Sequence, residues 1–440
     1  MIESLAKTLW KWIALCGLSL LLGCAATGDR AKPIAAGQAS SPSPAVLPAS
    51  YQSPTAGSSA ALVQPVDIFP VPLPPYTDPA DPFAGQSELN EERLIFEVQA
   101  RNPSLEAMIA AWQAAAARYP QMISWFGKRQ LRGRIARAES DAACQDVADL
   151  RLRLAESAAN GLFDYYLVRR EMEINTADIE LMKEFRSVAM TRYEANQVSQ
   201  QDVLQADLEL ADLEARGAEL SRRENIAVAR INTLLHRQAD CPLPPPSNLN
   251  PPGALPPVEE LRDTALYRRP DLTAQAARIR AEEAAVDLAC KDYYPDVEIV
   301  GKYDAFMPEE MRPQLGMNVN IPLWQQKRSA AWREAMAKLQ KERAEYANMA
   351  DQTRFEVQSA YAELIEGQRV LHLYDEKILP AAKQYFQSAR ANYSAGKTDF
   401  LRLIDAQRQL YGQWEKYYQT LTDYHRRLAE MQRAVGGYSF

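Results

Sequence analysis

The 440-residue chain has one long apolar run, Trp12 to Leu22, and it is too short to cross a bilayer as a stable helix. Histidine is scarce: His236, His372 and His425 lie far apart, without HExxH or paired spacing. That excludes the usual signatures of a metal centre or a triad and assigns the three to a bundle surface. No G-x-G-x-x-G or P-loop occurs, so no cofactor is implied and an enzyme is not expected. A basic excess is also missing. The net charge is −7 with both signs interspersed, which excludes a nucleic-acid surface. No C-x-x-C is present, and beyond the N-terminal region only Cys144, Cys241 and Cys290 remain. An odd set cannot build a disulfide framework, and Cys144 and Cys290 are expected as small core residues.

What the chain does have is an internal echo. The stretch YEANQVSQQDVLQADLEL at Tyr193 to Leu210 returns as YSAGKTDFLRLIDAQRQL at Tyr393 to Leu410, offset by 200 residues without a gap. Tyr193 matches Tyr393, Ala195 matches Ala395, Ala206 matches Ala406 and Leu210 matches Leu410. Helical patterns run into and out of both copies. Between them stand Asn196 and Gly396, the residue types that best adopt the left-handed conformation closing a helix. Ser199 and Asp399 are expected to cap the returning helix with their side chains. Each copy therefore reads as the tip of a long helical hairpin.

The N-terminus reads as an address. Lys7 and Lys11 precede the apolar run, giving a signal peptide over residues 1–23. It ends in Leu21, Leu22, Gly23, Cys24, which resembles the bacterial lipobox, with Cys24 as the lipidation site. Ala25, rather than Asp, resembles the sorting pattern for the outer membrane. Several acyl chains give stable anchoring where one does not. Residues 24–90 are rich in Pro, Ala and Ser and read as a lipid-anchored tether, with Phe69 and Tyr76 able to dock on the body.

Two helical repeats follow, 91–245 and 246–440. Asn102, Pro103, Ser104, Leu105 starts the folded part and Arg269, Pro270, Asp271, Leu272 opens the second half in the same style, 167 residues later. Trp125 to Arg129 then corresponds to Trp324 to Arg328, but at an offset of 199. The second half thus holds 32 residues that the first lacks. They carry period-two alternation: Val297, Ile299 and Tyr303 against Asp296, Glu298, Lys302 and Asp304, then Leu315, Met317, Val319 and Ile321 against Gln314, Gly316, Asn318 and Asn320. A β-hairpin over 296–323 follows. Each run has the length and rhythm of a strand in an outer-membrane barrel, and a soluble hairpin over a core would show the same alternation.

Heptads fill the remainder. Leu339, Tyr346, Thr353, Ala360 and Tyr374 lie on one seam beside Met336, Ala350, Val357, Leu364, Leu371 and Ile378. Leu403, Leu410, Tyr417, Tyr424 and Met431 repeat the pattern beside Trp414, Leu421, Leu428 and Val435. Such spacing specifies coiled-coil packing, and Gly436 with Gly437 is expected to end the last helix. The fold class is mainly α: duplicated long helical hairpins with one β-hairpin.

On the paired tips, the Arg269 to Leu272 helix start, the Tyr294, Pro295 approach to the hairpin and the Ile321, Pro322, Leu323, Trp324 exit, the chain resembles the TolC family of outer-membrane efflux proteins over about Arg101 to Val435. The resemblance implies a homotrimer, an α-barrel protomer carrying strands of an outer-membrane β-barrel, and the role of exit duct in a tripartite efflux pump. It further implies that the tips, with Asn196, Val198, Ser199, Asp202, Gly396, Lys397, Thr398, Asp399 and Asp405, dock a periplasmic adaptor protein or line the aperture. An inner-membrane transporter and outer-membrane lipid complete the implied partners. The run FGKRQLRGR and the lipid anchor resemble the metal-cation efflux branch. The acidic tip residues Asp202, Asp399 and Asp405 also fit plain caps and solvated faces.

One departure stands out. The family has a hairpin in each half, whereas here Tyr119, Pro120 is followed within five residues by Trp125. Three copies would supply six strands, fewer than the roughly eight whose interior side chains already fill. Strand from the tether at Leu62 to Val71, a larger or mixed oligomer, or loss of the duct function would each account for it. The competing function is a non-conducting, lipid-anchored periplasmic coiled-coil scaffold or adaptor.

Overall fold

The chain divides into two units, Met1–Val71 and Pro72–Phe440. A computed structural model describes residues 81–118, 127–250, 253–303, 313–320 and 324–437, all in the second unit. Cys24, Phe69, Tyr76, the 62–71 stretch, Trp125 and Ile321 lie outside the described residues.

The duplication governs the helices. The first half holds α1 (Glu91–Arg101), α2 (Pro103–Arg118), α3 (Lys128–Glu194) and α4 (Gln200–Leu234). The second holds α5 (Val258–Arg268), α6 (Pro270–Lys291), a strand pair β1 (Asp296–Tyr303) and β2 (Pro313–Asn320), α7 (Gln325–Leu373), a π-helical turn (Tyr374–Ile378), α8 (Leu379–Ser394) and α9 (Phe400–Ala434). α1 and α5 are both 11 residues long and both end at a single non-helical residue, Asn102 or Arg269, before a proline starts the next helix. The ordered structure thus begins earlier than the Asn102 start expected from sequence. Phe83 and Leu89, upstream of α1, are fully buried among α1, α3 and α4, and Leu89 bridges to Pro246.

Local chemistry explains these joints. Asn102 Oδ1 accepts from the Ser104 amide at 3.0 Å, capping α2. Arg269 grips Asp271 at 2.8 Å and Glu356 of α7 at 2.6 Å, which fixes the start of α6 against α7. Burial alone would lower its pKa, but hydrogen bonds to the two carboxylates hold it above the ordinary arginine value.

α4 and α9 are each 35 residues long and begin 200 residues apart. Both end in the same closing turn. The amide of Arg237 donates to Asn232 O at 2.9 Å and that of Gly437 to Gln432 O at 2.8 Å, with His236 and Gly436 at positive φ. Gly436 therefore closes the last helix as expected. His236 occupies the left-handed position and is exposed, as a surface histidine should be.

The long helix of the second half carries one residue more than α3 between its start and its tip, since the offset grows from 199 at Lys327 to 200 at Tyr393. The π turn at Tyr374–Ile378 is where that residue is absorbed. A π turn spends one extra residue per turn, and Pro380 just beyond it has no amide to complete the ordinary ladder.

Burial follows the heptads. Leu339, Ala350, Thr353, Val357, Ala360, Leu364, Leu371 and Tyr374 are buried, as are Leu403, Leu421, Tyr424, Met431 and Val435. His425 was expected at the surface. It is buried instead between Phe163 and Tyr424, with Nε2 2.8 Å from Asn250 O, and burial lowers its pKa. The cysteine expectation also fails: Cys290 is exposed and Cys144 only half-buried. Both sit on helices, and their faces lie outside the apolar seams.

Candidate functional site: the paired tips and the strand pair

Residues 195–199 and 395–399 join the long helices in two equivalent turns. Asn196 has φ 56° and Gly396 φ 70°. The Gln197 amide donates to Arg192 O and the Lys397 amide to Asn392 O, both at 2.9 Å, while Asn196 and Gly396 donate to Tyr193 O and Tyr393 O. Left-handed closure by Asn and Gly is as read from the sequence. The capping detail differs. Ser199 and Asp399 hold the N-cap positions, but neither side chain accepts from the helix. Ser199 Oγ turns to Asp202 Oδ1 at 3.3 Å instead, and the Asp202 amide is served by Ser199 backbone O at 3.2 Å.

The two tips come together. Met182, Phe185, Val203, Ala206 and Leu213 of the first hairpin share one core with Phe386, Tyr393, Phe400, Leu403 and Ile404 of the second. Tyr393 is 4% exposed while its repeat partner Tyr193 is 40% exposed. Phe400, 5.6 Å from the Tyr393 ring, and Arg192 both cover it. The Arg192 guanidinium lies 4.6 Å over the Tyr393 ring and donates to Tyr393 O at 2.9 Å and Ser394 O at 2.8 Å. Further polar rungs cross the same seam: Glu184 with Arg390 at 2.6 Å, Asp178 with Gln407, Glu209 with Arg408, and Arg216 with Glu415 at 2.6 Å. A buried Leu, Ile or Phe contributes about 1.5–3 kcal/mol and an exposed ion pair under about 1. The apolar core therefore holds the hairpins together, and the rungs fix their register.

Asn196, Ser199, Gly396, Lys397, Asp399 and Asp405 are exposed, with Val198, Asp202 and Thr398 half-buried. Arg192, Asp178, Gln407 and Arg408 were missed by the motif reading. Their signal lies in the repeat itself: positions 392, 208 and 207 hold Asn, Leu and Asp where the other half has Arg192, Arg408 and Gln407. The halves differ where they meet each other.

The strand pair sits at the other end of α3. Lys128, the first residue of α3, pairs at 2.8 Å with Asp292, just before β1, whereas the tip follows Glu194. A helix of 67 residues separates them by roughly 100 Å. β1 and β2 are antiparallel, with Val297 opposite Val319, Ile299 opposite Met317, Gly301 opposite Leu315 and Tyr303 opposite Pro313. Residues directly opposite share a face, so the register puts the alternating apolar positions together. Beside the strands, Tyr294 is 65% and Trp324 80% exposed, and Lys291 lies 5.4 Å from the Tyr294 ring. Aromatics in such positions anchor at a membrane–water interface. Among the described residues no helix is long and apolar enough to cross a membrane, and no cluster of metal-ligating side chains occurs.

The family model described as outer membrane efflux protein matches residues 261–437, from α5 through β1, β2 and α9. The TolC-family resemblance and the mainly α fold class are thereby borne out. The chain is 24% identical over 344 residues to the cobalt-zinc-cadmium resistance protein CzcC of Cupriavidus metallidurans, covering 76% of this chain and 81% of that one. It is also 24% identical over 335 residues to the pyoverdine export outer membrane protein OpmQ of Pseudomonas aeruginosa, covering 72% and 67%. The fold matches the solved outer-membrane channel OprN at a TM-score of 0.71 and 21% identity, over 82% of this chain and 96% of that one. The family and its solved neighbours are channel proteins rather than enzymes.

Proposed function

We propose that this efflux-family chain is an exit duct that crosses the periplasm and opens through the outer membrane. Three copies associate, Cys24 carries the lipid anchor, and the tip residues Asn196, Val198, Ser199, Asp202, Gly396, Lys397, Thr398, Asp399 and Asp405 meet a periplasmic adaptor, behind which an inner-membrane transporter loads cargo. The observation that carries this is polarity along one helix: both closing turns share a core at the tip of α3, and an amphipathic strand pair flanked by exposed aromatics lies at its start. Val297, Ile299, Tyr303, Leu315, Met317, Val319 and Ile321 are assigned to the lipid-facing side. Divalent metal cations are the proposed cargo class, after the relative CzcC.

A second reading has its own support. Residues 119–127 are all that separate α2 from α3, whereas residues 292–324 separate α6 from α7. One strand pair among the described residues of each copy favours a non-conducting, lipid-anchored scaffold. Purified full-length protein reconstituted in planar bilayers decides between them. Discrete conductance steps of porin size support the duct, and protein that inserts without conducting refutes it in favour of the scaffold.

A further inference from the structure

The seam between the hairpins contains one carboxylate that the duct reading does not use. Asp178, on α3, is 8% exposed, and Gln407, on α9, is 1% exposed. Gln407 Nε2 donates to Asp178 Oδ1, while Gln407 Oε1 is buried without any partner. One turn back on α3, Asn175 Nδ2 donates to Leu213 O of α4 at 3.2 Å, and Asn175 Oδ1 is likewise without a partner. This pocket of the seam therefore has acceptors in excess and lacks donors. An ionised carboxylate can only accept, whereas a protonated one gains an O–H donor.

The charged surroundings leave Asp178 without a cation of its own. From α4 it faces Glu209 and Arg216, and from α9 Tyr411 and Glu415, while Arg408 beside them faces Glu209, Asp405 and Asp212. Both arginines are committed, Arg408 to Glu209 and Arg216 to Glu415. Glu171, on α3 itself, interacts with Arg223, Arg216 and Glu415. Burial is the largest influence on Asp178 and the two glutamates add to it, so its pKa rises to about 6 despite the Gln407 amide.

We propose that Asp178 and Gln407 form a proton-operated latch between the two hairpins: protonation supplies the donor that Gln407 Oε1 lacks and holds the seam shut, and ionisation loosens it. The latch rests on the duct reading only for its consequence, a passage that closes when the periplasm is acidified. The sign follows from linkage. A carboxyl whose pKa is raised in the closed seam stabilises that seam fully below its ordinary value near 4, and the contribution is lost as pH rises through about 6. Between about pH 7.5 and about pH 5 the closed-to-open ratio gains roughly tenfold.

The test is the spacing of the hairpins in the full-length protein in detergent. Spin labels are placed on S187C and S388C, both exposed positions, with Cys144, Cys241 and Cys290 replaced by Ser. The expected result is a narrow, short distance distribution at about pH 5 and a broader, longer one at about pH 7.5. Asp178→Asn, whose amide can donate at every pH, stays narrow at both. Gln407→Met stays broad at both. A wild-type distribution that ignores pH, or a pH response that survives in Asp178→Asn, overturns the latch. Conductance recorded on the same preparations reports on the duct separately, because a protein that never conducts can still show or lack the change in spacing.

Discussion

Replacing Gly436 and Gly396 by Ala, one at a time, separates backbone strain from steric conflict at two helix-closing turns with the same left-handed glycine. Both glycines sit in the left-handed region, at φ +82° and +70°. An L-residue there costs about 1–2 kcal/mol. At Gly396 an added Cβ meets nothing within 4 Å, so Gly396→Ala is expected to lose only that amount. At Gly436 the same Cβ would lie 2.8 Å from the Arg268 carbonyl carbon, 2.9 Å from its oxygen and 3.0 Å from its Cβ. The first two are backbone atoms at the end of α5, which is pinned by Leu261 and Ala265 in the core and by the Arg269 ion pairs. Overpacking of this kind costs about 1–3 kcal/mol more, for a total of about 2–5. For a body larger than 250 residues each kcal/mol moves the melting point by roughly 2 °C or less. Thermal unfolding followed by circular dichroism at 222 nm should therefore show a loss of about 1–4 °C for Gly396→Ala and up to about 10 °C for Gly436→Ala. Equal losses would mean that the approach to Arg268 is without energetic weight, and the reasoning from added Cβ contacts would fall.

Arg192→Ala removes two charge-assisted donations to carbonyls and the stacking over Tyr393. It should cost about 2–4 kcal/mol locally, read as faster amide exchange in residues 193–199 and 393–400; unchanged exchange would show the tie to be idle. Asp405→Asn removes an exposed carboxylate from each copy at the second tip. If these face the aperture, cation preference should fall in reversal-potential measurements, and an unchanged potential would assign Asp405 to a solvated face.

The tips were legible in the chain because a helix that closes through a left-handed residue needs Asn or Gly there, and Asn196 and Gly396 have the sequence character of that conformation. The heptads were legible for a similar reason: burial on a long helix is periodic, and Val357, Leu364 and Leu371 are all buried. α1 was missed, although α5 lies at the same 167-residue offset as the two proline starts, because an 11-residue helix beside a proline-rich stretch gives too few turns for a period to emerge. Phe83 and Leu89 owe their burial largely to surfaces of α3 and α4 that are distant in sequence. The same holds for His425, whose ring is enclosed by Phe163, 262 positions earlier. At the tips, composition gave the shape of each bend but not their pairing, since the contrast between Tyr193 and Tyr393 arises in part from a guanidinium in the other half. Ser199 shows a local limit: its hydroxyl had two acceptors or donors within reach, and the Asp202 side chain won over the helix amides.

The extra residue taken up at Tyr374–Ile378 sets a rule for exchanging parts between the halves. In an ordinary α-helix one inserted residue turns everything beyond it by about 100°. Here the wide turn absorbs the step, so α8 and α9 present faces in phase with the last stretch of α3 and with α4. A chimera that replaces the first hairpin by the second keeps its phase when both junctions fall on the tip side of residue 378. One cut on either side would swing the grafted apolar stripe a quarter-turn or more out of the seam, and the graft would fold as a helix that cannot find its neighbour.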